Sequence, residues 1–491
     1  MRSIPFPLQL AALVLLVGCD RIRALPGVEP RSAARPRLEA IAMGPWLLEP
    51  GERQMTVAWV TAAPAVGRVW YGTRDTDRLA HDEAATLEHR VTIGGLEPGT
   101  QYRYRIEAAA EAGGLFTTAP PPGSPFTVLV YGDNRTNSGD HALLARAAAA
   151  EKTQVALHTG DMVSNAGNDD LWRLWFAEER DLLARTPLIP TMGNHEITDK
   201  GVAYSRYFQR RELPAYRSVD YGPLHVIVLD SFEMAAGATP HSSGFSDAQR
   251  AWFEEDLRSV REGRHVWVLV HQGPYAHPMN RRGAGHGGSE PLRQALVAGA
   301  KIHSIEAVFA GHEHFYERGD IDGLRYFVFG GGGAPLEDPD PSFPGVQVAQ
   351  KALSYAVVQV CGCHVTGKVK DIAGRVIDSF RLSDCDAPCG AEAHLVAPAS
   401  AAPPVRPANP PTATALDLPV ATPAATPAAA PAAEAPGDGG AADPQENGQR
   451  RRRRSRRDRG AGDAGVSPPP AEPAAAPPAP APPAGPDAGP P

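Results

Sequence analysis

Phe126-Thr127-Val128-Leu129-Val130-Tyr131-Gly132-Asp133 is an apolar run that stops on a glycine and an acid. The ending recurs down the chain. Val155 to His158 leads to Thr159-Gly160-Asp161, and Pro187 to Pro190 leads to Met192-Gly193-Asn194-His195-Glu196. His265 to Val270 leads to His271, and Ala307 to Ala310 leads to Gly311-His312-Glu313-His314. Continuous apolar runs set between amphipathic segments predict buried strands in an α/β layered fold. Leu224 to Leu229 and Arg325 to Phe329 are further predicted strands, and His141 to Lys152, Asp169 to Arg185 and Asp247 to Val260 are predicted helices. The polar residues fall directly after the strands, at the edge where open α/β sheets hold their ligands.

Asp133, Asp161, Asn194, His271, His312 and His314 are mixed oxygen and nitrogen donors, a set that suits iron, zinc or manganese better than calcium. Two divalent or trivalent ions are needed to use them all. Two such ions, roughly 3.5 to 4 Å apart, can hold a bridging hydroxide as nucleophile and stabilise an in-line displacement at phosphorus. The expected reaction is phosphoester hydrolysis. A lone Gly-Asp is usually a turn, so the reading rests on five endings in one order.

That order, Gly-Asp, Gly-Asp, Gly-Asn-His-Glu, His, Gly-His-x-His, resembles the calcineurin-like metallophosphoesterase superfamily. With the segment before it, the chain is similar to purple acid phosphatases from about Leu38 to Leu382. The resemblance implies a layered β-sandwich flanked by helices. It also implies that Asp133 and His314 bind a first ion, that Asn194, His271 and His312 bind a second, and that Asp161 bridges. His195 would face the leaving group as general acid or steer the phosphate. Glu196 either orients His195 or a ligand, or is a plain helix-start carboxylate.

The sequence departs from the family pattern twice. Where many members have Asp-x-His, the third residue is Arg135, which cannot ligate a metal. Where purple acid phosphatases have a tyrosine, three residues after the second Asp, stands Ser164. A water, Asn134, Ser164 or Asn165 would have to complete the first ion's shell, and no purple colour is expected. Arg135 has its own reading as a phosphate contact, since a guanidinium matches phosphate oxygens, or else as a structural salt bridge. Tyr275, His277 and His286, in a loop rich in Gly, Arg and Pro, are candidate substrate contacts.

The flanks read differently. Residues 1–19 are a lipoprotein signal peptide: Arg2, then an apolar run from Leu8 to Val17, then Leu16-Val17-Gly18-Cys19, which resembles a bacterial lipobox with Cys19 as the lipidated residue. Residues 20–37 are a linker. Short alternating stretches between turn signals make residues 38–118 a small all-β sandwich that resembles a fibronectin type III-like domain, and Leu96-Glu97-Pro98-Gly99-Thr100-Gln101-Tyr102 resembles the stretch typical of the one preceding purple acid phosphatase catalytic domains. Residues 125–384 are the catalytic domain, whose Ser354-to-Leu382 stretch reads as a closing pair of strands. Residues 391–491, rich in Ala, Pro, Gly and Asp, lack the apolar side chains that would offset chain ordering and read as a disordered tail.

The formal net charge of -8 averages unlike parts, because eight of the ten residues from Arg450 to Arg459 are arginine. Such a block fits anionic lipid headgroups or envelope polymers by charge alone, with no specific nucleic acid implied. Beyond Cys19, four cysteines remain. In an exported protein they imply two disulfides, with Cys361 and Cys363 each joined to Cys385 or Cys389, and a zinc knuckle with His364 as the alternative. The expected whole is a membrane-anchored envelope phosphomonoesterase facing the periplasm or exterior. A phosphodiesterase or nucleotidase on the same scaffold, or a surface-binding lipoprotein without catalysis, are the rivals.

Overall fold

A computed structural model describes residues 41–135, 137–209, 214–233, 244–278, 288–386 and 389. The signal segment with Cys19, the linker, His286 and the tail with its arginine run lie outside the described residues.

The catalytic part is built from two sheets. The six-stranded sheet runs Val376–Ser383, His364–Asp371, Ser354–Cys361, Phe126–Tyr131, Val155–His158, Leu188–Pro190, with the last three parallel. The seven-stranded sheet runs Val346–Gln350, Tyr316–Ile321, Leu324–Phe329, Ala307–Ala310, His265–Leu269, Leu224–Val228, Arg217–Tyr221. Its four strands from Leu324–Phe329 to Leu224–Val228 are parallel. Side chains alternate across each strand, so one run serves two cores. Val128 and Val130 face the layer shared with Trp267, Leu269, Phe309 and Phe327, while Leu129 and Tyr131 face outward against helices.

Those helices complete four layers. Ser138–Ala150, Asp169–Glu178 and Val202–Phe208 cover the six-stranded sheet, burying Trp172, Trp175, Phe176, Tyr204 and Phe208. Asp247–Ser259 and Glu290–Gly299 cover the other sheet through Trp252, Phe253, Leu292 and Leu296. At about 1.5 to 3 kcal/mol for each large apolar side chain removed from water, these faces fix the layering. The predicted helix from Asp169 ends at Glu178, and a separate turn covers Arg180–Leu183. Glu290–Gly299 is absent from the sequence expectations, although Ser289 caps it through Leu292 N and Pro291 sits in its first turn.

One further expectation changes. The closing pair of strands is three, because Gly362 turns the chain between Cys361 and His364, which face each other across the hairpin. The N-terminal domain is all-β, its five strands linked in one hydrogen-bonded ladder. Its long strand Gln54–Gly72 pairs with Ile41–Leu48 near one end and with Gln101–Ile106 at the other. Both ends feed a single core, Val57 and Trp59 from one and Val69 and Tyr71 from the other. The sheet also joins the helical layer: Trp46 Nε1 donates to the Tyr207 carbonyl at 3.1 Å, and Tyr104 donates to that of Ala184 at 2.9 Å.

Cys361 pairs with Cys389 and Cys363 with Cys385, with Cα separations of 5.4 and 5.9 Å. Cys363, His364 and Cys385 do lie together as a zinc knuckle needs, but a bonded pair of sulfurs offers no thiolate. Among the described residues no helix is long and apolar enough to cross a membrane.

Candidate metal centre

The two sheets end side by side, and their loops converge. Asp133, Asp161 and Asn194 follow the parallel strands of the six-stranded sheet, and His271 and His312 follow neighbouring parallel strands of the other. Donor atoms of Asp133, Asp161 and His271 all lie within 4.8 Å of one another, fully buried. Asn194 Oδ1 is 3.1 Å from His271 Nε2 and 3.0 Å from His312 Nδ1, and the two imidazole nitrogens are 3.3 Å apart. His314 Nε2 is 3.9 Å from Asp133 Oδ1. All six predicted donors therefore meet in one place.

Local backbone brings them there. Asp133, Asp161 and His312 adopt φ of 58°, 56° and 73°, left-handed values that non-glycine residues seldom take and that concentrate at functional sites. The neighbouring glycines matter more for their missing side chains. A β-carbon at Gly311 would overlap Asp133 Oδ2, and one at Gly193 would overlap Asp161 Oδ1.

The arrangement demands positive charge. Burial pushes the Asp133 carboxyl well above the usual range, offset only in part by His271. Burial acts likewise on Asp161, but His271, and then His195 and Arg135, outweigh it and hold that group low. Burial disfavours a cationic His271, yet Asp161 and Asp133 prevail and raise it to about 9. Tautomers agree: His271 Nδ1 lies 2.7 Å from the Thr159 carbonyl, which can only accept, so Nε2 turns its lone pair to the centre when the ring is neutral. His314 Nδ1 is placed the same way on the Pro335 carbonyl at 3.0 Å. Buried carboxylates and imidazole lone pairs pointing at one another fit iron, zinc or manganese.

The remaining candidates sort by geometry. His195 sits at the mouth with Nδ1 2.7 Å from the Ser164 carbonyl and Nε2 3.8 Å from Asp161 Oδ2. Burial lowers its pKa below that of an ordinary histidine. Arg135 donates through Nε to Asp161 Oδ2 at 2.9 Å and through an Nη2 hydrogen to His314 Nε2 at 3.0 Å. Asn134 turns away from the centre: its Oδ1 accepts from Trp175 Nε1 at 3.2 Å and meets His158 Nε2, and its amide donates to Gly332. Asn165 accepts from Gly167 N at 3.0 Å, shaping its own loop. Tyr275 bonds Asp322 and His277 bonds Glu317, so each is engaged within the scaffold.

Glu196 has a part the sequence left open. Its carboxylate accepts from Gly193 N and Asp161 N at 2.8 Å and from Met162 N at 2.9 Å, pinning the Asp161 loop against the Asn194 loop. Glu179 and His141 were missed altogether; with Glu178 and Tyr131 they form a buried polar cluster behind the first strand, His141 lying 2.7 Å from Glu178 and 2.8 Å from Glu179.

Strands of two sheets delivering Asp, Asp, Asn-His, His and His-x-His to one seam define a metallophosphoesterase domain, and residues 126–316 match the calcineurin-like phosphoesterase family model. Residues 46–119 match the purple acid phosphatase N-terminal domain. It is 27% identical over 331 residues to a phosphoenolpyruvate phosphatase of Allium cepa, covering 60% of this chain and 65% of that one. It is 27% identical over 267 residues to the Fe(3+)-Zn(2+) purple acid phosphatase 12 of Arabidopsis thaliana, covering 51% of this chain and 56% of the relative. The chain thus spans less than two thirds of the length of either. Among solved structures, purple acid phosphatase PPD1 from yellow lupin seeds shares the fold with a TM-score of 0.58 at 18% identity, covering 69% of this chain and 73% of that one.

Proposed function

We propose that the chain hydrolyses phosphoesters, monoesters first, at a centre of two metal ions. The observation that carries this reading is the meeting of all six donors at the seam, around the buried carboxylates of Asp133 and Asp161. Asp133 and His314 would hold one ion, Asn194, His271 and His312 the other, and Asp161 would serve both. When bound, the ions lower the pKa of water and neutralise the phosphoryl oxygens.

The protein groups then have distinct tasks. His195, partly exposed at the mouth and oriented by the Ser164 carbonyl, gives a proton to the departing alkoxide. Its pKa, lowered by burial, confines the proton-carrying form to more acidic conditions. Arg135 presents N–H groups at the same mouth and supplies positive charge toward the phosphate.

The deciding experiment is metal analysis together with hydrolysis of p-nitrophenyl phosphate and bis-p-nitrophenyl phosphate by the wild type and Asp161→Asn. About two ions per chain and turnover lost in the variant support the hydrolase, and faster cleavage of the diester would move the reading to a phosphodiesterase. No ion and no turnover with added Fe, Zn or Mn would sink it in favour of a binding lipoprotein.

Export and anchoring through Cys19 belong to the same proposal, with Arg450–Arg459 meeting anionic headgroups or envelope polymers. Labelling with radioactive palmitate that survives in Cys19→Ser would refute the anchor.

A further inference from the structure

A second cleft lies where the N-terminal sheet meets the helical layer, and none of the six donors lines it. It holds about 550 Å³, with Trp46, Trp59 and Tyr207 in its wall. Three side chains of that wall are buried yet end in polar atoms without a hydrogen-bond partner among the described residues: His89 at Nδ1, Tyr207 at its hydroxyl and Gln209 at Oε1. Buried polar groups are seldom left so unless something else completes them.

The neighbours of these atoms fix what would complete them. Trp59 stacks on the His89 ring at 4.6 Å. The ring's Nε2 is 3.0 Å from Thr61 Oγ1, whose one hydrogen goes to a carbonyl, that of Ala63 at 2.8 Å or Leu87 at 3.3 Å. The hydroxyl can then only accept from the ring, so Nε2 carries the proton and Nδ1 of the neutral ring presents a lone pair. Gln209 gives an amide hydrogen to the Ala215 carbonyl at 3.0 Å, which leaves its oxygen as the unused atom. Asp82, with Oδ2 3.8 Å from His89 Nδ1, and Glu83 add carboxylates to the same wall. The wall's own cations are engaged, Arg206 with Glu88 at 2.5 Å and Arg90 with the Tyr207 carbonyl at 3.1 Å. The cleft therefore calls for hydrogen-bond donors and positive charge beside aromatic rings.

We propose that this cleft binds an arginine side chain, whose planar guanidinium donates to several acceptors at once and lies against aromatic faces. An ammonium, compact and strongly hydrated, matches the wall less well. Two sources carry that chemistry. One is a separate peptide; the other is this chain's own Arg35 and Arg37, a few residues before Ile41, which pairs with Thr61, the partner of His89.

Calorimetric titration of the full chain with L-argininamide and L-lysinamide tests this without reference to turnover. Argininamide should bind about tenfold tighter than lysinamide. Asp82→Asn should weaken argininamide about tenfold, the equivalent of one bond to a charged group, while its hydrolysis of p-nitrophenyl phosphate matches wild type. Thermal unfolding of the variant separates the effect from loss of fold. Binding that strengthens when Arg35 and Arg37 are both changed to Gln would support the site with the linker as its occupant, and binding unaltered by that change would support it with a separate peptide. Equal affinity for the two amides, or argininamide binding that Asp82→Asn leaves unchanged, would overturn the assignment. No binding at about 10 mM by wild type and the double variant alike would overturn it too.

Discussion

The two halves of the centre solve one electrostatic problem in different ways. Around Asn194, His271 and His312, Asn194 Oδ1 and the two imidazole nitrogens lie between 3.0 and 3.3 Å apart and bond one another. Around Asp161 and His314, a guanidinium of the same chain bonds the donors instead. The first half draws its counter-charge from an imidazole, and the second from a guanidinium. The same donor types, reached by the same strand-end geometry, are therefore held on one side by histidines of the set and on the other by a single residue two places after Asp133.

Removing the group common to both halves is the harshest way to break that contrast. Asp161→Asn should bring hydrolysis of p-nitrophenyl phosphate to the level of buffer and reduce ion uptake in both halves. His195→Gln comes next and sharpens the contrast, because it leaves all six donors intact. Turnover of an alkyl phosphate should drop by about 10²- to 10⁴-fold. The p-nitrophenyl ester, whose leaving group needs no proton, should lose about tenfold at most; equal losses on both would exclude proton donation.

Glu196→Gln acts on the centre through the backbone. An amide in place of the carboxylate points hydrogens at the N–H groups of Gly193, Asp161 and Met162. Metal affinity should fall by about 10- to 100-fold, as for other groups that orient ligands. Unchanged titration would show that the Asp161 loop needs no such tether.

The smallest effect lies behind Arg135, in the buried cluster of His141, Glu178 and Glu179. Burial disfavours the His141 cation, but its two carboxylate partners outweigh this and raise it to about 9. A histidine raised in the folded state stabilises fully below its unfolded pKa of about 6.5, and the contribution fades as pH rises through about 9. Wild type should thus lose on the order of a few kcal/mol between those limits, and His141→Gln should flatten the dependence. Parallel curves for the two proteins would contradict the assignment.

Much of this was legible in the chain because strands buried on both faces leave unbroken apolar runs, and the ends of those runs are where ligands sit. Phe126–Tyr131, Val155–His158 and Ala307–Ala310 have the bounds their residues suggest. What escaped depends on partners far away in sequence or on backbone conformation. Arg135 meets His314 from 179 positions off, and Glu196 grips amides 34 and 35 positions earlier. At Asp133, Asp161 and His312 the donor itself adopts the left-handed backbone, which residue type does not announce. Cys361-Gly362-Cys363 hid a hairpin turn between two cysteines, and a three-stranded meander read as two strands.

Because Asp133, Asp161 and Asn194 extend from one sheet and His271 and His312 from the other, each bound ion would rivet two layers that pack chiefly through their apolar side chains. Their shared apolar interior keeps the layers together at the base whatever happens at the rim. Loss of metal would then loosen the fold locally, from the loops inward, in the manner of a seam opening from its top stitch. Hydrogen exchange would register this as faster exchange at the amides of Asp161 and His312, while those of Val128 and Val268 in the strands beneath keep their protection.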